Sequence, residues 1–386
     1  MKKVAYTLFL MILLGTSGSY AAKLLFDTNQ TVKPNSDIKT MFDSELYQAI
    51  INHYAGTPRT LSADELTYVA RSYYQLEDMP NAKKYVDMAI QKDPKFANAY
   101  YIRGTFSNTT GDYRQALVDL QQAILLSPKQ AEYYTELGDV YLSQDNSSEA
   151  LINYRKATKL PQPSEKAYYM IGAVYAGRNE MDKALDTFYV AKTKIVKDKE
   201  LYVTLLYNIG KIEFDKKDYK KAVRTYEDLI EFFPDDYYSM EKIVQCYNAQ
   251  KAYDQADNAK VKLYTAYQQS LLSSSSMSDM FCIDNFTVGD KEVSAYERFE
   301  EPSCHSVFIK YIFYVADKAG NIESTIFLEY HQAEKEDAVG QYQLVMEKDG
   351  KRHSYSSVIF DESIRYETLL PYIVDAVSGK LKPSSL

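Results

Sequence analysis

Between residues 62 and 269, small and bulky residues return along the chain in one repeating order. Gly104, Gly138 and Gly172 lie 34 positions apart, and an alanine follows each glycine after twelve residues. Each unit places a bulky residue, a small one, an aromatic, an alanine, a second bulky residue and another alanine. A fixed period of this length indicates a stacked-repeat architecture, which takes precedence over the interpretation of single elements.

This pattern resembles the tetratricopeptide repeat (TPR) in both spacing and residue type, over six units. Each unit would form two helices of about 13 residues that approach closely where the side chains are small. Ser62 and Glu65 form a capping box that predicts the first helix start. The step from Gly172 to Gly210 is longer, which predicts extra residues near positions 192–200. The resemblance implies a mainly α protein, with a right-handed α-solenoid of about six TPR helix pairs.

After residue 279 the pattern changes from helical to alternating. Strand faces are predicted at 307–315 and 322–330, and a second hairpin pairs 342–346 with 355–360 around Asp349-Gly350. Residues 281–288 are a further candidate strand. A final helix holds Leu369 and Ile373, with Asp361 or Ser363 as its cap and Gly379 at its end. We predict a small α+β domain with an antiparallel sheet of four or five strands and one C-terminal helix.

The N-terminus has the pattern of a secretory signal peptide. Lys2 and Lys3 precede a short apolar stretch, and small residues lead to a cleavage site after Ala21. The predicted domains are a signal peptide at 1–21, an arm and capping helix at 22–61, the TPR array at 62–269, a serine-rich linker at 270–279 and the C-terminal domain at 280–386. We therefore expect an exported protein, periplasmic or secreted, without a transmembrane anchor once the signal is removed.

Composition narrows the class of partner. The formal net charge is −8 and no basic patch stands out, which argues against nucleic acid as a partner. Tyrosine is abundant, with 37 residues against 16 phenylalanines. Most of these tyrosines fill repeat positions that require an aromatic, and the remainder are available for contact.

The chemistry-bearing residues do not name a reaction. The four histidines have no metal-ligand spacing, and no phosphate loop or dinucleotide fingerprint is present, so no metal or cofactor is expected. Cys246 is interpreted as a small buried residue, whereas Cys282 and Cys304 are a disulfide candidate in an oxidising compartment. Cys304 and His305 are adjacent, but neighbours on a strand point to opposite faces, which makes them a poor nucleophile and base.

The resemblance also predicts which residues face a partner. In this family the first helix of each unit lines the concave surface, at unit positions two, five, nine, twelve and thirteen. The candidate partner-binding residues at these positions are Arg71, Tyr74, Asn98, Tyr101, Asn108, Asp139, Tyr169, Tyr207, Lys211, Phe214, Tyr238, Gln245 and Asn248. Such a mixture of tyrosine and amide side chains suits an extended peptide.

These observations predict a noncatalytic scaffold that binds a protein or peptide. The Lys and Asn pair with which chaperone-binding members hold a terminal carboxylate is absent, because positions five and nine read Tyr101 and Thr105 in the second unit and Tyr207 and Lys211 in the fifth. Two alternatives stay open. Tyrosine beside Asn and Asp also suits carbohydrate, and the C-terminal domain could hold an enzyme. The identity of the partner and the oligomeric state do not follow from the sequence.

Overall fold

A computed structural model describes residues 37–271, 280–298, 308–331, 341–361 and 363–384. These residues form helices up to residue 268, then a six-stranded antiparallel sheet and a final helix. They divide into two compact units between Leu205 and Leu206. The predicted signal peptide and most of the predicted arm and linker lie outside the described residues.

The N-terminal unit consists of two short helices followed by helix pairs. Its helices are α1 (Ile38–Asp43), α2 (Tyr47–Tyr54), α3 (Ala63–Gln75), α4 (Met79–Lys92), α5 (Ala97–Thr109), α6 (Tyr113–Leu126), α7 (Ala131–Ser143), α8 (Ser147–Ala157), α9 (Glu165–Gly177), α10 (Met181–Lys192) and the start of α11 (Lys199–Asp215). The capping box is present as predicted. The Glu65 N–H donates to Ser62 Oγ at 3.2 Å, and the Ser62 N–H donates to Glu65 Oε2 at 2.7 Å.

The repeat glycines lie where the two helices of a pair touch. A Cβ atom built on Gly172 would stand 2.4 Å from Cδ1 of Phe188, and one on Gly138 would stand 2.5 Å from Cε1 of Tyr154. Phe188 and Tyr154 are fully buried, so neither ring has space to withdraw. The 34-residue period therefore reflects a helix contact in which a glycine packs against a large side chain.

Two local features differ from the simplest repeat. The capping helix, expected from Asp43 to Tyr54, is shortened to α2, and α1 forms from residues that include the end of the predicted arm. Glu45 separates the two helices, because it adopts a left-handed backbone with φ of 58°. Phe42 and Ile50 are buried, as a cap for the first repeat requires. The extra residues of the fourth unit form the loop after α10 and the first turn of α11. The Glu165 carboxylate accepts backbone N–H groups from this loop, including that of Asp198 at 3.0 Å.

The C-terminal unit joins the last helices to the sheet. It contains the rest of α11, then α12 (Tyr219–Phe232), α13 (Tyr237–Ala249), α14 (Tyr253–Gln268), β1 (Met280–Val288), β2 (Lys291–Arg298), β3 (Phe308–Ala316), β4 (Ile322–His331), β5 (Gln341–Lys348), β6 (Lys351–Phe360) and α15 (Tyr366–Val377). The strands pair in sequence order, so β1 and β6 are the two edges. One apolar core includes Val244 and Leu263 from the last repeat and Phe281 and Phe313 from the sheet.

The sheet has one strand more than the four or five predicted. The missed strand is β2, whose core face carries Val293, Ala295 and the buried acid Glu297. Glu297 is buried because Lys260 Nζ on α14 donates to its Oε2 at 3.1 Å. Charged residues within β2 and at its ends interrupt the apolar alternation, so the sequence did not indicate this strand.

The end of the chain also departs in detail from the prediction. The last helix begins at Tyr366 with Arg365 as its N-cap, so neither Asp361 nor Ser363 caps it, although it ends near Gly379 as predicted. Beyond it, the Ser384 N–H donates to the Ser354 carbonyl of β6 at 2.8 Å, and the Ser356 N–H donates to Ser384 Oγ at 3.0 Å. The chain terminus therefore contacts the outer edge of β6.

Candidate functional site

The predicted partner-binding positions lie on the first helices of the repeats, α3, α5, α7, α9, α11 and α13. Side chains at these positions are three or four residues apart, so they share one face of each helix. Within each compact unit, several of them contact the next first helix. We call this set of positions the inner face.

At the beginning of the inner face, two predicted residues contact aromatic neighbours. The Arg71 guanidinium carbon lies 4.1 Å from the centre of the Phe42 ring of α1. Tyr74 stacks on Phe106 of α5 with ring centres 4.7 Å apart, and its hydroxyl is 3.1 Å from Thr109 Oγ1. Both side chains remain partly exposed.

The middle of the inner face joins α5, α7 and α9. Tyr101 stacks on Tyr133 with ring centres 5.0 Å apart. Asn108 Nδ2 donates to Glu136 Oε1 at 3.1 Å. Asp139 accepts the Lys166 ammonium at 2.6 Å, which links α7 to α9. We call Tyr101, Asn108, Glu136, Asp139 and Lys166 the central cluster.

The central cluster contains two carboxyl groups and one ammonium group. Burial raises the pKa of Glu136, and the nearby Asp139 charge raises it further. Burial works to lower the pKa of Lys166, but Asp139 and Glu136 together raise it above its usual value. Burial, assisted by the Glu136 charge, also raises the pKa of Tyr101 to about 12. Lys166 therefore remains charged near neutral pH, as one cation beside two acids.

Two further predicted residues of the N-terminal unit contribute differently. Asn98 is half-buried at the start of α5. Tyr169 is 7% exposed and stacks on Phe188 with ring centres 5.6 Å apart. Tyr169 therefore belongs largely to the packing between α9 and α10, and it offers little surface to a partner.

In the C-terminal unit, α11 and α13 bring four predicted residues close together. The Tyr207 hydroxyl donates to Asp236 Oδ2 at 2.6 Å, and its ring centre lies 6.1 Å from that of Tyr238. Lys242 Nζ lies 4.6 Å from the centre of the Phe214 ring. Lys211 pairs with Asp215 along its own helix at 2.9 Å.

The inner face of the sixth repeat is occupied by the chain itself. Gln245 Nε2 donates to the Cys282 carbonyl at 3.1 Å, and Asn248 Nδ2 donates to the Ile283 carbonyl at 2.9 Å. The Glu241 carboxylate accepts the Cys282 N–H. Glu241, Gln245 and Asn248 occupy unit positions five, nine and twelve, and we call this group the strand clamp. Gln245 and Asn248 thus bind β1 in this structure, a role that the sequence did not predict.

Sequence reasoning also missed Glu136. It lies at unit position six, where the second and fourth repeats have Ile102 and Met170. Glu136 is 9% exposed, and its hydrogen bond to Asn108 compensates part of the free-energy cost of burying it. An acid at a position that is apolar in neighbouring repeats was the signal that could have identified it.

Among the described residues, the remaining chemical candidates form no catalytic arrangement. Within the described residues, no group of three His, Cys, Asp or Glu side chains could hold a metal ion. Burial raises the pKa of both the Cys246 and the Cys282 thiol to about 12, which leaves them unreactive near neutral pH. Cys282 is buried and forms no disulfide with any described residue. Cys304 and His305 lie outside the described residues, so the disulfide and the nucleophile-base pair remain untested.

Membrane and family comparisons complete the description. Over the part of the chain that the structure describes, every helix is too short or too polar to cross a bilayer.

Family models of the TPR repeat match residues 109–145, and models of the tetratricopeptide repeat match residues 131–162 and 204–236. No curated protein sequence matches significantly.

Three solved structures illustrate what part of this chain is similar to. PilF of Pseudomonas aeruginosa is 16% identical with a TM-score of 0.43, and the match covers 55% of this chain and 94% of PilF. MamA is 24% identical with a TM-score of 0.33, covering 42% and 95% of the two chains. YrrB, described as a TPR protein with an unusual peptide-binding site, is 20% identical with a TM-score of 0.34, covering 50% and 95%.

The family assignment rests on the 34-residue period, the glycine contacts within the helix pairs and the three family-model matches. Arrays of this kind are protein–protein interaction scaffolds. The family models do not name the sheet and final helix. This chain is a tetratricopeptide-repeat protein.

Proposed function

We propose that the protein is a noncatalytic, exported scaffold that binds an extended segment of another protein on the inner face of α5, α7 and α9. One observation carries this proposal. In the sixth repeat, inner-face side chains bind an extended strand through its backbone N–H and C=O groups. The inner face of this array is therefore suited to extended polypeptide, and the second repeat has an asparagine, Asn108, at the position of Asn248.

The central cluster gives this region the chemistry of a binding surface. The stacked rings of Tyr101 and Tyr133 provide apolar contact area at a small entropy cost. Glu136 and Asp139 outnumber the single cation Lys166, and Glu132 on the same helix is exposed. A bound segment would gain most by presenting a basic side chain beside apolar ones.

The export part of the proposal rests on the sequence alone. Two lysines, a short apolar stretch and a small-residue cleavage site at 1–21 have the pattern of a secretory signal. The scaffold would then act in the periplasm or outside the cell. In that oxidising compartment, a bridge between Cys282 and Cys304 is part of the same proposal.

The experiment is site-specific photo-crosslinking in cells. A photo-reactive amino acid replaces Tyr101 on the inner face, and the matched control replaces Val118 on the second helix of the same repeat. Val118 is 56% exposed, so the control is accessible to any protein that approaches the outer surface. We expect a defined protein crosslinked from position 101 and little from position 118.

Two outcomes would contradict the proposal. Equal crosslinking from both positions would mean that the inner face has no special role. No crosslinked protein, together with retention of the purified chain on a polysaccharide array, would favour carbohydrate as the ligand.

A further inference from the structure

The strand clamp consists of polar side chains that are almost completely buried. Glu241, Gln245 and Asn248 are 6%, 2% and 5% exposed. Buried amides and acids require hydrogen-bond partners, and β1 supplies them. These three bonds go to backbone atoms of Cys282 and Ile283, so the clamp holds the strand mainly by its main chain. The only β1 side chain with a described bond to the clamp is Asn285, whose Nδ2 donates to Gln245 Oε1 at 3.4 Å.

The geometry of β1 fits this interaction. β1 is an edge strand that pairs only with β2, and its register shifts between Cys282 and Asp284. Ile283 has no register partner on β2, and its carbonyl bonds to Asn248 instead. An edge strand normally leaves outward N–H and C=O groups for another strand. Here α13 supplies side chains in place of that strand.

We propose that the inner face of the sixth repeat is a binding site for an extended apolar strand, and that the chain fills this site with its own β1. The apolar character follows from Phe281 and Ile283, which flank Cys282 and enter the core shared with the last repeat. A segment from another molecule gains access only when β1 leaves. β1 is thus a built-in competitor, and this inference does not depend on the partner proposed for the central cluster.

Covalent attachment explains why β1 prevails over an outside segment. α14 ends at Gln268 and β1 begins at Met280, so a short connection joins the repeat to the strand. A short tether gives an effective concentration of about millimolar. An outside segment with the same intrinsic affinity must exceed that concentration to replace β1.

The test uses a labelled synthetic peptide with the sequence of residues 280–288 and the full-length chain. In the variant Cys282→Pro, β1 loses the N–H that Glu241 accepts, and proline is tolerated on edge strands when its nitrogen faces outward. The matched control is Thr287→Pro, at an exposed position of the same strand with no described bond to α13. We expect Cys282→Pro to bind the peptide about tenfold more tightly than wild type, because one hydrogen bond holding β1 is lost.

Equal peptide binding by wild type and Cys282→Pro would overturn the proposal, and so would an equal gain in Thr287→Pro. If Cys282→Pro does not fold, Asn248→Asp provides the second test, because it turns a carboxylate toward the Ile283 carbonyl. Hydrogen exchange of the β1 amides should then accelerate about tenfold. The control Gln250→Ala alters a side chain that bonds within its own helix. Unchanged exchange in Asn248→Asp would also overturn the proposal.

Discussion

The second and the sixth repeats place an asparagine at the same unit position, yet their inner faces differ. Asn108 bonds to Glu136 of the next first helix and lies in a face that is partly exposed. Asn248 bonds to the Ile283 carbonyl and is buried by β1. The repeat position determines which way a side chain points. The neighbouring element determines whether that side chain is available to a partner.

The largest expected effect concerns the helix contact within a repeat of the N-terminal unit. We predict that Gly172→Ala lowers the free energy of unfolding of the N-terminal unit by more than about 3 kcal/mol, because the added methyl would overlap the buried Phe188 ring. Gly56→Ala is the control, since a Cβ there meets no atom within 4 Å. Chemical unfolding measures both. A loss in Gly172→Ala no larger than in Gly56→Ala would show that the repeat glycines are not required for packing.

The next effect concerns the inner face of the sixth repeat, which β1 occupies, and the dependence of its stability on pH. Burial raises the pKa of Glu241 to about 7 from an ordinary value of 4.5, although the Cys282 N–H works to lower it. The folded chain therefore binds this proton more tightly, so the stabilising contribution is complete below pH 4.5 and is lost as the pH rises through 7. The shift corresponds to about 3 kcal/mol.

Unfolding of the C-terminal unit at several pH values tests this. We expect Glu241→Gln, which keeps an acceptor oxygen for Cys282, to remove that part of the decline. If the variant and the wild type lose stability in parallel between pH 4.5 and 8, Glu241 does not titrate as proposed.

A smaller effect separates the two asparagines directly. Asn248→Ala leaves the buried Ile283 carbonyl without its donor and should cost about 2 kcal/mol. Asn108→Ala removes a donor to the buried Glu136, whose raised pKa allows it to take up a proton instead. The change should cost about 1 kcal/mol or less, while weakening partner capture by the central cluster. Thermal unfolding and the crosslinking assay together measure the contrast. Equal losses of stability in the two variants would mean that the inner faces of the second and the sixth repeat are equally covered.

The repeat array could be predicted from the sequence because one helix contact, and the residue pattern that it requires, recurs along the chain. Gly172 opposes Phe188 as Gly138 opposes Tyr154, and each repeat restates the same contact 34 residues later. The longer step after Gly172 also predicted the position of the added loop. The break between α1 and α2 was not predicted, because it depends on one left-handed residue, Glu45, that no strong turn signal marks.

The sequence indicated β3 to β6 by their alternation, and β1 as a candidate strand at 281–288. It did not indicate β2, which buries Glu297 against Lys260, a residue 37 positions earlier. Nothing local to β2 indicates that such a charge is compensated. That β1 occupies the inner face of the sixth repeat was not predicted for the same reason. Gln245 and Asn248 bond to backbone atoms that lie 37 and 35 residues further along the chain.

The strand clamp solves two exposure problems with one contact. A stack of helix pairs ends in an apolar surface that must be covered, and a sheet ends in a strand whose backbone invites pairing with foreign chains. In the C-terminal unit, the core of the last repeat continues into the sheet, and the outer edge of β1 is closed by α13. Ser384 contacts the opposite edge at β6. Loosening the clamp would therefore expose an adhesive strand and an unfinished stack together, and we expect aggregation to accompany the loss of stability.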